Sequence, residues 1–140
     1  MNQPPDRGVY VAYADGASRG NPGPSAIGIV IYDNEGREVH RESRRVGHGT
    51  NNEAEYRAAV AALEAALGLG ASRVEVRMDS ELVVRQLTGR YRVRNPRLAP
   101  LYGRVLDLRG RFQSVVFRNV ARTGNRLADM LANQALNRSS

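Results

Sequence analysis

Four acidic residues occupy positions in the sequence where they could bind metal ions together. Asp15 and Asp79 each end a short apolar stretch, Glu55 lies in the first turn of a long helical pattern, and Asp129 lies about one turn into the last helical pattern. Strand ends and helix starts are where the sheets of α/β proteins gather ligands. If the four side chains converge, their like charges need a cation to compensate them. A ligand set made only of oxygen atoms favours Mg²⁺ or Mn²⁺.

Each of these acids also has a purely structural explanation. Asp79 followed by Ser80 could cap a helix, Asp15 could hold a turn, and Glu55 and Asp129 could be solvated residues on a helix flank. The stretch Thr50-Asn51-Asn52-Glu53 fits a capping box, so we predict that Glu53 satisfies the helix start and does not join the other acids. Spacing alone leaves the structural and the metal-binding explanations open for the four acids.

The composition excludes several classes of site. The chain has 140 residues and a formal net charge of +7, all 21 basic residues are arginine, and cysteine is absent. These facts exclude lysine Schiff bases, a P-loop lysine, thiolate nucleophiles, disulfides and cysteine-ligated metals. No apolar run approaches the roughly 20 residues of a membrane span. The start MNQPPDRG lacks the basic and apolar regions of a secretory signal, so we expect a cytoplasmic protein without a membrane partner.

The positive charge is concentrated in one segment. Residues 85–111 contain eight arginines and a single acid, Asp107, and the rest of the chain is neutral. Tyr91 and Tyr102 lie among these arginines, and this mixture suits phosphate contacts combined with base stacking. The alternative is a solvated basic surface without a ligand.

Hydrophobic periodicity indicates one α/β domain. Alternating apolar residues predict strands near 9–15, 27–31, 37–46, 74–79 and 113–120, and helical patterns cover about 50–69, 80–87, 96–108 and 125–136. Three hairpin-connected strands followed by β–α alternation, in the order βββαβααβα, predict a single five-stranded mixed sheet flanked by helices. We assign this domain to residues 9–137, with 1–8 and 138–140 as flexible termini.

Four stretches of the chain resemble type 1 ribonuclease H. They occur in the order found in that family and cover nearly the whole chain: YADGASRGNPG (13–23), TNNEAEYRA (50–58), MDSELVV (78–84) and ARTGNRLADMLAN (121–133). Each stretch alone is weak evidence, whereas the ordered set on matching elements is specific. The resemblance implies a ribonuclease H-like fold, and it places Asp15, Glu55, Asp79 and Asp129 at the family's four metal-binding carboxylate positions.

The activity that this resemblance implies is endonucleolytic hydrolysis of the RNA strand of an RNA–DNA hybrid. The products would carry 5′-phosphate and 3′-hydroxyl ends. Two Mg²⁺ ions per active site, with Mn²⁺ as an alternative, would activate a water and stabilise the leaving oxygen. By resemblance, Asp15 bridges the two ions, Glu55 and Asp79 complete one, and Asp129 binds the other. The expected partner is the hybrid, and we expect a monomer.

The resemblance also implies residues that bind the substrate. Asn21, Asn51 and Asn52 match positions that distinguish the sugars of the two strands, while Thr50 and Asn95 match a pocket for a phosphate of the DNA strand. The structural alternatives are helix capping for Asn51 and a turn before Pro96 for Asn95. Many relatives place a mobile histidine before the fourth carboxylate. Here the matching loop contains Arg122, which could hold a phosphate.

The chain resembles a short form of the family that lacks the basic protrusion. The segment between Asp79 and Asn95 is too short to hold that insertion, and the arginines of 85–111 could substitute for it. One competing hypothesis is a module on the same fold that binds RNA–DNA hybrid or double-stranded RNA without cleaving it. Another is metal-free RNA cleavage by His40 and His48, and a third is a purely structural protein. Sensitivity to EDTA and the product ends distinguish these hypotheses.

Overall fold

The structure is a computed structural model that describes residues 8–138. Most of the predicted flexible termini (residues 1–7 and 139–140) therefore lie outside the described residues. The elements are, in chain order, β1 (Val9–Ser18), β2 (Gly23–Tyr32), β3 (Glu38–Gly49), α1 (Asn51–Gly68), β4 (Arg73–Met78), α2 (Glu81–Leu87), α3 (Ala99–Arg109), β5 (Ser114–Asn119) and α4 (Arg126–Asn137), with a 3₁₀ turn at Arg122–Gly124 before α4. This order confirms the predicted βββαβααβα arrangement.

The five strands form one mixed sheet in the order β3-β2-β1-β4-β5. The first three strands are antiparallel hairpin partners, whereas β4 runs parallel to β1, and β5 runs parallel to β4. The hairpin between β2 and β3 closes at Asp33, whose side chain accepts the backbone N–H groups of Glu35 and Arg37 at 2.9 Å. Because β1 and β4 are parallel neighbours, their carboxyl ends lie at the same edge of the sheet.

Helices cover both faces of this sheet. On one face, α1 packs across β1 and β2 with α3 beside it, and this side holds the main core, including Ile27, Ile29 and Ile31. On the other face, α4 packs across β1, β2 and β3. A Cβ atom at Gly28 would lie 2.0 Å from the carbonyl oxygen of Ala128, so glycine at this position allows α4 to contact the sheet backbone.

The start of α3 differs from the prediction. The helix begins at Ala99, whereas the sequence pattern placed its start at Pro96. The Asn95 side chain accepts the N–H of Arg97 at 2.8 Å, and this contact holds residues 96–98 in a turn before the helix. Among residues 8–138, the helices are too short or too polar to cross a membrane.

Candidate active site

Three of the four predicted carboxylates meet at the carboxyl edge of the parallel strands. Asp15 lies in β1, Asp79 directly follows β4, and Glu55 lies on α1. One carboxylate oxygen of each residue lies within 4.8 Å of the other two. Asp15 and Glu55 are 5% and 6% exposed, and Asp79 is half-buried. The parallel pairing of β1 with β4 brings the two aspartates together, and α1 adds the glutamate.

A close contact between α1 and β1 places Glu55. The backbone N–H of Gly16 donates a hydrogen bond to Glu55 Oε1. A Cβ atom at Gly16 would lie 2.2 Å from the carbonyl carbon and oxygen of Ala54, which is impossible for any side chain without a shift of the helix. Glycine at position 16 therefore allows the helix to bring its acid beside Asp15.

Asp129 lines the same cleft from α4 but lies outside the group of three. Its side chain is half-buried. The Asn133 amide donates to the Asp129 carbonyl at 2.9 Å and to Asp129 Oδ1 at 3.3 Å, which orients the carboxylate one turn before it on the helix. Asp129 is close enough to raise the pKa of Asp15 through a hydrogen bond. All four predicted acids thus face one cleft.

The electrostatics of this cleft favour a cation. Burial raises the pKa of Asp15 far above its usual range, and the nearby charges of Glu55 and Asp79 raise it further. Burial also raises the pKa of Glu55 to about 7, with the charges of Asp79 and Asp129 adding to the shift and hydrogen bonds from Asp15 and Gly16 opposing it. The raised pKa values of Asp15 and Glu55 show that this cleft disfavours negative charge on both side chains. Several carboxylate oxygens this close together form a donor set that fits Mg²⁺ or Mn²⁺.

Asn125 is a site residue that the sequence pattern did not reveal. It is 1% exposed, and its amide nitrogen donates to the carbonyl of Ala14 at 3.0 Å and to Asp79 Oδ2 at 3.2 Å. In the sequence it appeared as the first residue of a helical pattern and within the stretch 121–133, and no role was assigned to it. Its position in that stretch, four residues before Asp129, was the available signal. Asn125 lies behind the acids, whereas Ser18, Ser80 and Asn133 line the cleft itself without having been predicted to do so.

Some of the predicted substrate-binding residues reach the cleft. Asn51, Asn52 and Arg122 line it together with the acids. The Asn51 side chain accepts the N–H of Ser18 at 3.0 Å, and the Asn21 side chain accepts the N–H of Asn51 at 3.0 Å. Asn21 is therefore placed beside the start of α1 and fixes the loop between β1 and β2 against the helix.

Thr50 and Asn95 lie outside the residues that line the acidic cleft. Thr50 and Glu53 form the predicted capping box, with the hydroxyl accepting the Glu53 N–H at 3.1 Å and the Thr50 N–H donating to Glu53 Oε1 at 3.2 Å. The exposed Asn95 makes the turn before α3 that the structural alternative proposed. A phosphate pocket at these two residues stays a prediction.

The two histidines lie on β3, an edge strand, and neither lines the acidic cleft. His40 Nε2 lies 3.0 Å from a carboxylate oxygen of Glu42. Their separation of eight positions along a strand gives no support to metal-free cleavage by a histidine pair.

Comparison with known proteins identifies the relatives of this chain. The family described as "Reverse transcriptase-like" matches residues 13–135. Ribonuclease HI of Halobacterium salinarum is 47% identical over 133 residues, which are 94% of this chain and 67% of that protein. A bifunctional protein of Mycobacterium tuberculosis is 44% identical over 127 residues, but the chain spans only 35% of that longer protein.

Solved structures agree with these sequence matches. The crystal structure of RNase H1 from Halobacterium salinarum superimposes with a TM-score of 0.89 at 45% identity, covering 92% of this chain and 98% of that one. LC11-RNase H1, solved in complex with an RNA/DNA hybrid, gives a TM-score of 0.85 at 42% identity over 90% of this chain and 95% of that one. With the same fold and close sequence identity over nearly its whole length, the chain belongs to the type 1 ribonuclease H family.

Proposed function

We propose that this chain is a metal-dependent endonuclease that hydrolyses the RNA strand of RNA–DNA hybrids and leaves 5′-phosphate and 3′-hydroxyl ends. The observation that carries the proposal is the group of Asp15, Glu55 and Asp79, whose carboxylate oxygens lie within 4.8 Å of one another. A relative 42% identical to this chain has been solved with an RNA/DNA hybrid, which supports the same substrate here.

The metal in this proposal is Mg²⁺, bound as two ions, with Mn²⁺ as the alternative. Asp15, Glu55 and Asp79 would hold one ion, and Asp129 with Asp15 would hold the other. The chemistry that such ions supply is activation of a water molecule and stabilisation of the leaving oxygen. Asp15 suits the shared position because it lies within reach of the other three acids, as their joint effect on its pKa indicates.

Other residues of the cleft bind and orient the substrate in this proposal. The Asn51 amide oxygen is taken by the Ser18 N–H, while its amide nitrogen donates to no atom of residues 8–138 and can donate to a sugar hydroxyl. Asn52 lies beside it at the start of α1. Arg122 lies in the 3₁₀ turn before α4 and lines the cleft, and its guanidinium can hold a phosphate through paired hydrogen bonds. Because one chain supplies all of these residues, the proposed active unit is a monomer.

The test is cleavage of labelled substrates in Mg²⁺, Mn²⁺ or EDTA. An RNA–DNA hybrid is compared with double-stranded and single-stranded RNA, and Asp79→Asn is purified in parallel to exclude a contaminating nuclease. We expect metal-dependent cutting of the hybrid RNA alone, with no cutting by the variant. Cutting of double-stranded RNA as well would widen the substrate class. Tight hybrid binding without cleavage in either metal would contradict the proposal and favour a binding module.

A further inference from the structure

Asn125 is buried at the junction of three elements that carry the acids. Its amide nitrogen donates to the Ala14 carbonyl, one residue before Asp15, and to the carboxylate of Asp79. The backbone carbonyl of Asn125 accepts the backbone N–H of Asp129 at 3.1 Å, so the first turn of α4 begins at the same residue. A single asparagine therefore contacts β1, the turn after β4, and the helix that carries the fourth acid.

The role of this side chain is not helix capping. Asparagine is among the best residues at a helix N-cap because its side-chain oxygen usually accepts a backbone N–H of the first turn. Asn125 occupies the N-cap position of α4, but its side chain makes no capping hydrogen bond. The amide is directed instead to two acceptors that are 111 and 46 positions away in the chain.

The orientation of the Asn125 side-chain amide is fixed, and it leaves the amide oxygen without a partner among residues 8–138, which a purely structural residue would not need. Both of its partners are acceptors, so the nitrogen must face them, and rotating the amide by half a turn would bring oxygen against oxygen. In this orientation Oδ1 is buried and has no hydrogen-bond partner among the described residues. Leaving an acceptor buried and unpaired costs stability. An apolar residue of similar size would avoid that cost but could not hold the Asp79 carboxylate.

The chemistry of the cleft explains why a neutral donor is suited to this position. A carboxylate here would add another negative charge beside Asp79 and could not donate a hydrogen bond when ionised. A guanidinium would neutralise charge that the cation requires. An amide orients the carboxylate and leaves its charge available. Groups that orient metal ligands in this way typically change metal affinity or activity 10–100-fold when they are mutated.

We propose that Asn125 is a positioning residue, whose amide fixes the Asp79 carboxylate against Ala14 of β1 and thereby sets the divalent-ion affinity of the site. The inference rests on the proposed function because it takes Asp79 to be a metal ligand. It assigns to Asn125 no contact with the substrate. The affinity of the protein for the hybrid should therefore not depend on the Asn125 side chain, whereas its affinity for the metal ion should.

The test measures Mn²⁺ binding to the hybrid-free protein by calorimetry for the parent, Asn125→Ala and Asn125→Leu. We expect both variants to bind Mn²⁺ about 10–100-fold more weakly than the parent. Both substitutions remove the unpaired Oδ1, but leucine also fills the volume of the lost amide, so the leucine variant should melt at a higher temperature in EDTA than the alanine variant. The kcat for the hybrid should fall at low Mg²⁺ and recover in part at high Mg²⁺, with KM unchanged.

Two control variants separate positioning from a general loss of stability. Asn119→Ala removes an amide that donates to the Met78 carbonyl at 3.2 Å, next to Asp79, and that makes no hydrogen bond to the Asp79 carboxylate within residues 8–138. Gln86→Ala removes a buried amide that accepts the Tyr56 hydroxyl at 2.7 Å, away from the residues that line the cleft. We expect both controls to bind Mn²⁺ like the parent, even where they melt at a lower temperature.

The inference is overturned if Asn125→Ala and Asn125→Leu bind Mn²⁺ like the parent, or if affinity merely follows melting temperature across all four variants. If Asn125→Ala does not fold, the leucine variant decides the comparison. A parent that cleaves the hybrid while its Asn125 variants keep full Mn²⁺ affinity contradicts this inference alone. A parent that binds Mn²⁺ but does not cleave contradicts the proposed function alone, and a parent that binds no Mn²⁺ contradicts both.

Discussion

The backbone N–H of Gly16 donates to the Glu55 carboxylate, so the residue that follows Asp15 in β1 holds the acid that α1 contributes. The same glycine lies directly against the helix backbone, where a Cβ atom would approach the Ala54 carbonyl to 2.2 Å. The geometry of the acidic group is thus coupled to the packing distance between one helix and one strand. A change in that distance should alter stability and metal binding together.

We expect Gly16→Ala to lower the free energy of unfolding by about 1–3 kcal/mol, because α1 must move away from β1 to admit the methyl group. The displacement also carries Glu55 away from Asp15, so Mn²⁺ affinity should fall. Urea unfolding and calorimetry measure the two effects. Gly103→Ala in α3 is the matched control, since its Cβ meets no atom within 4 Å, and it should stabilise the helix by up to about 1 kcal/mol. Similar losses in both variants would contradict this explanation.

We expect Asp79→Asn to abolish hybrid cleavage but to leave the melting temperature in EDTA equal to or above that of the parent. The substitution removes one of the negative charges crowded within 4.8 Å, while the new amide oxygen can still accept the Asn125 hydrogen bond. Thermal unfolding in EDTA and in Mg²⁺ measures the effect. Asp107→Asn, on the exposed surface of α3, should retain full activity. A large fall in the melting temperature of Asp79→Asn would show that Asp79 is a structural residue.

The metal-free protein should lose stability as pH rises from about 5 to 8. Burial raises the folded-state pKa of Glu55 to about 7 and that of Asp15 higher still, whereas both ionise near pH 4 when unfolded. The folded state therefore binds more protons than the unfolded state in this range, and stability falls by about 1.4 kcal/mol per pH unit for each extra proton. Melting curves in EDTA measure this slope. Saturating Mg²⁺ should flatten it, and so should Asp15→Asn. A slope that is the same in all three samples would contradict the prediction.

Much of the site was predictable because its determinants are local in sequence. Alternating apolar residues mark β1 and β4, and the acid at the end of each alternation follows from the same pattern. The capping box at Thr50 and Glu53 requires only residues three positions apart, and the structure shows both of its hydrogen bonds. The capping box also explains why Glu53 stays outside the acidic group, because its side chain bonds to the start of the helix. Glu55, two positions further along α1, lies on another face of the helix and joins the acidic group.

The contacts of Asn125 were not predictable because they join distant parts of the chain. Local sequence favours an N-cap at this residue, and only the pairing of β1 with β4 creates acceptors that compete for the amide. The predicted start of α3 was wrong for a related reason. Proline suits the first turn of a helix, but the Asn95 side chain accepts the Arg97 N–H and continues the turn through Leu98.

The arginines that follow α2 differ from most others in their surroundings. Arg37, Arg41 and Arg44 near the β3 edge each pair with an acid. Arg90, Arg92 and Arg94 are exposed and form no ion pair with any of residues 8–138, in a segment that is neither helix nor strand. Their charge is not cancelled by neighbours and is available to a polyanion.

We expect the triple variant Arg90→Ala, Arg92→Ala, Arg94→Ala to raise KM for the hybrid and to flatten its dependence on salt. The association constant falls as salt rises, and each phosphate contact contributes about 0.9 to the steepness of log association constant against log salt concentration on duplex DNA. Loss of three contacts would make this dependence shallower by nearly 3. The kcat at saturating hybrid should stay unchanged because the acids are not touched. The matched control removes Arg37, Arg41 and Arg44, which changes the net charge equally at the opposite edge strand of the sheet. If the two triple variants shift the salt slope equally, net charge rather than this segment determines binding.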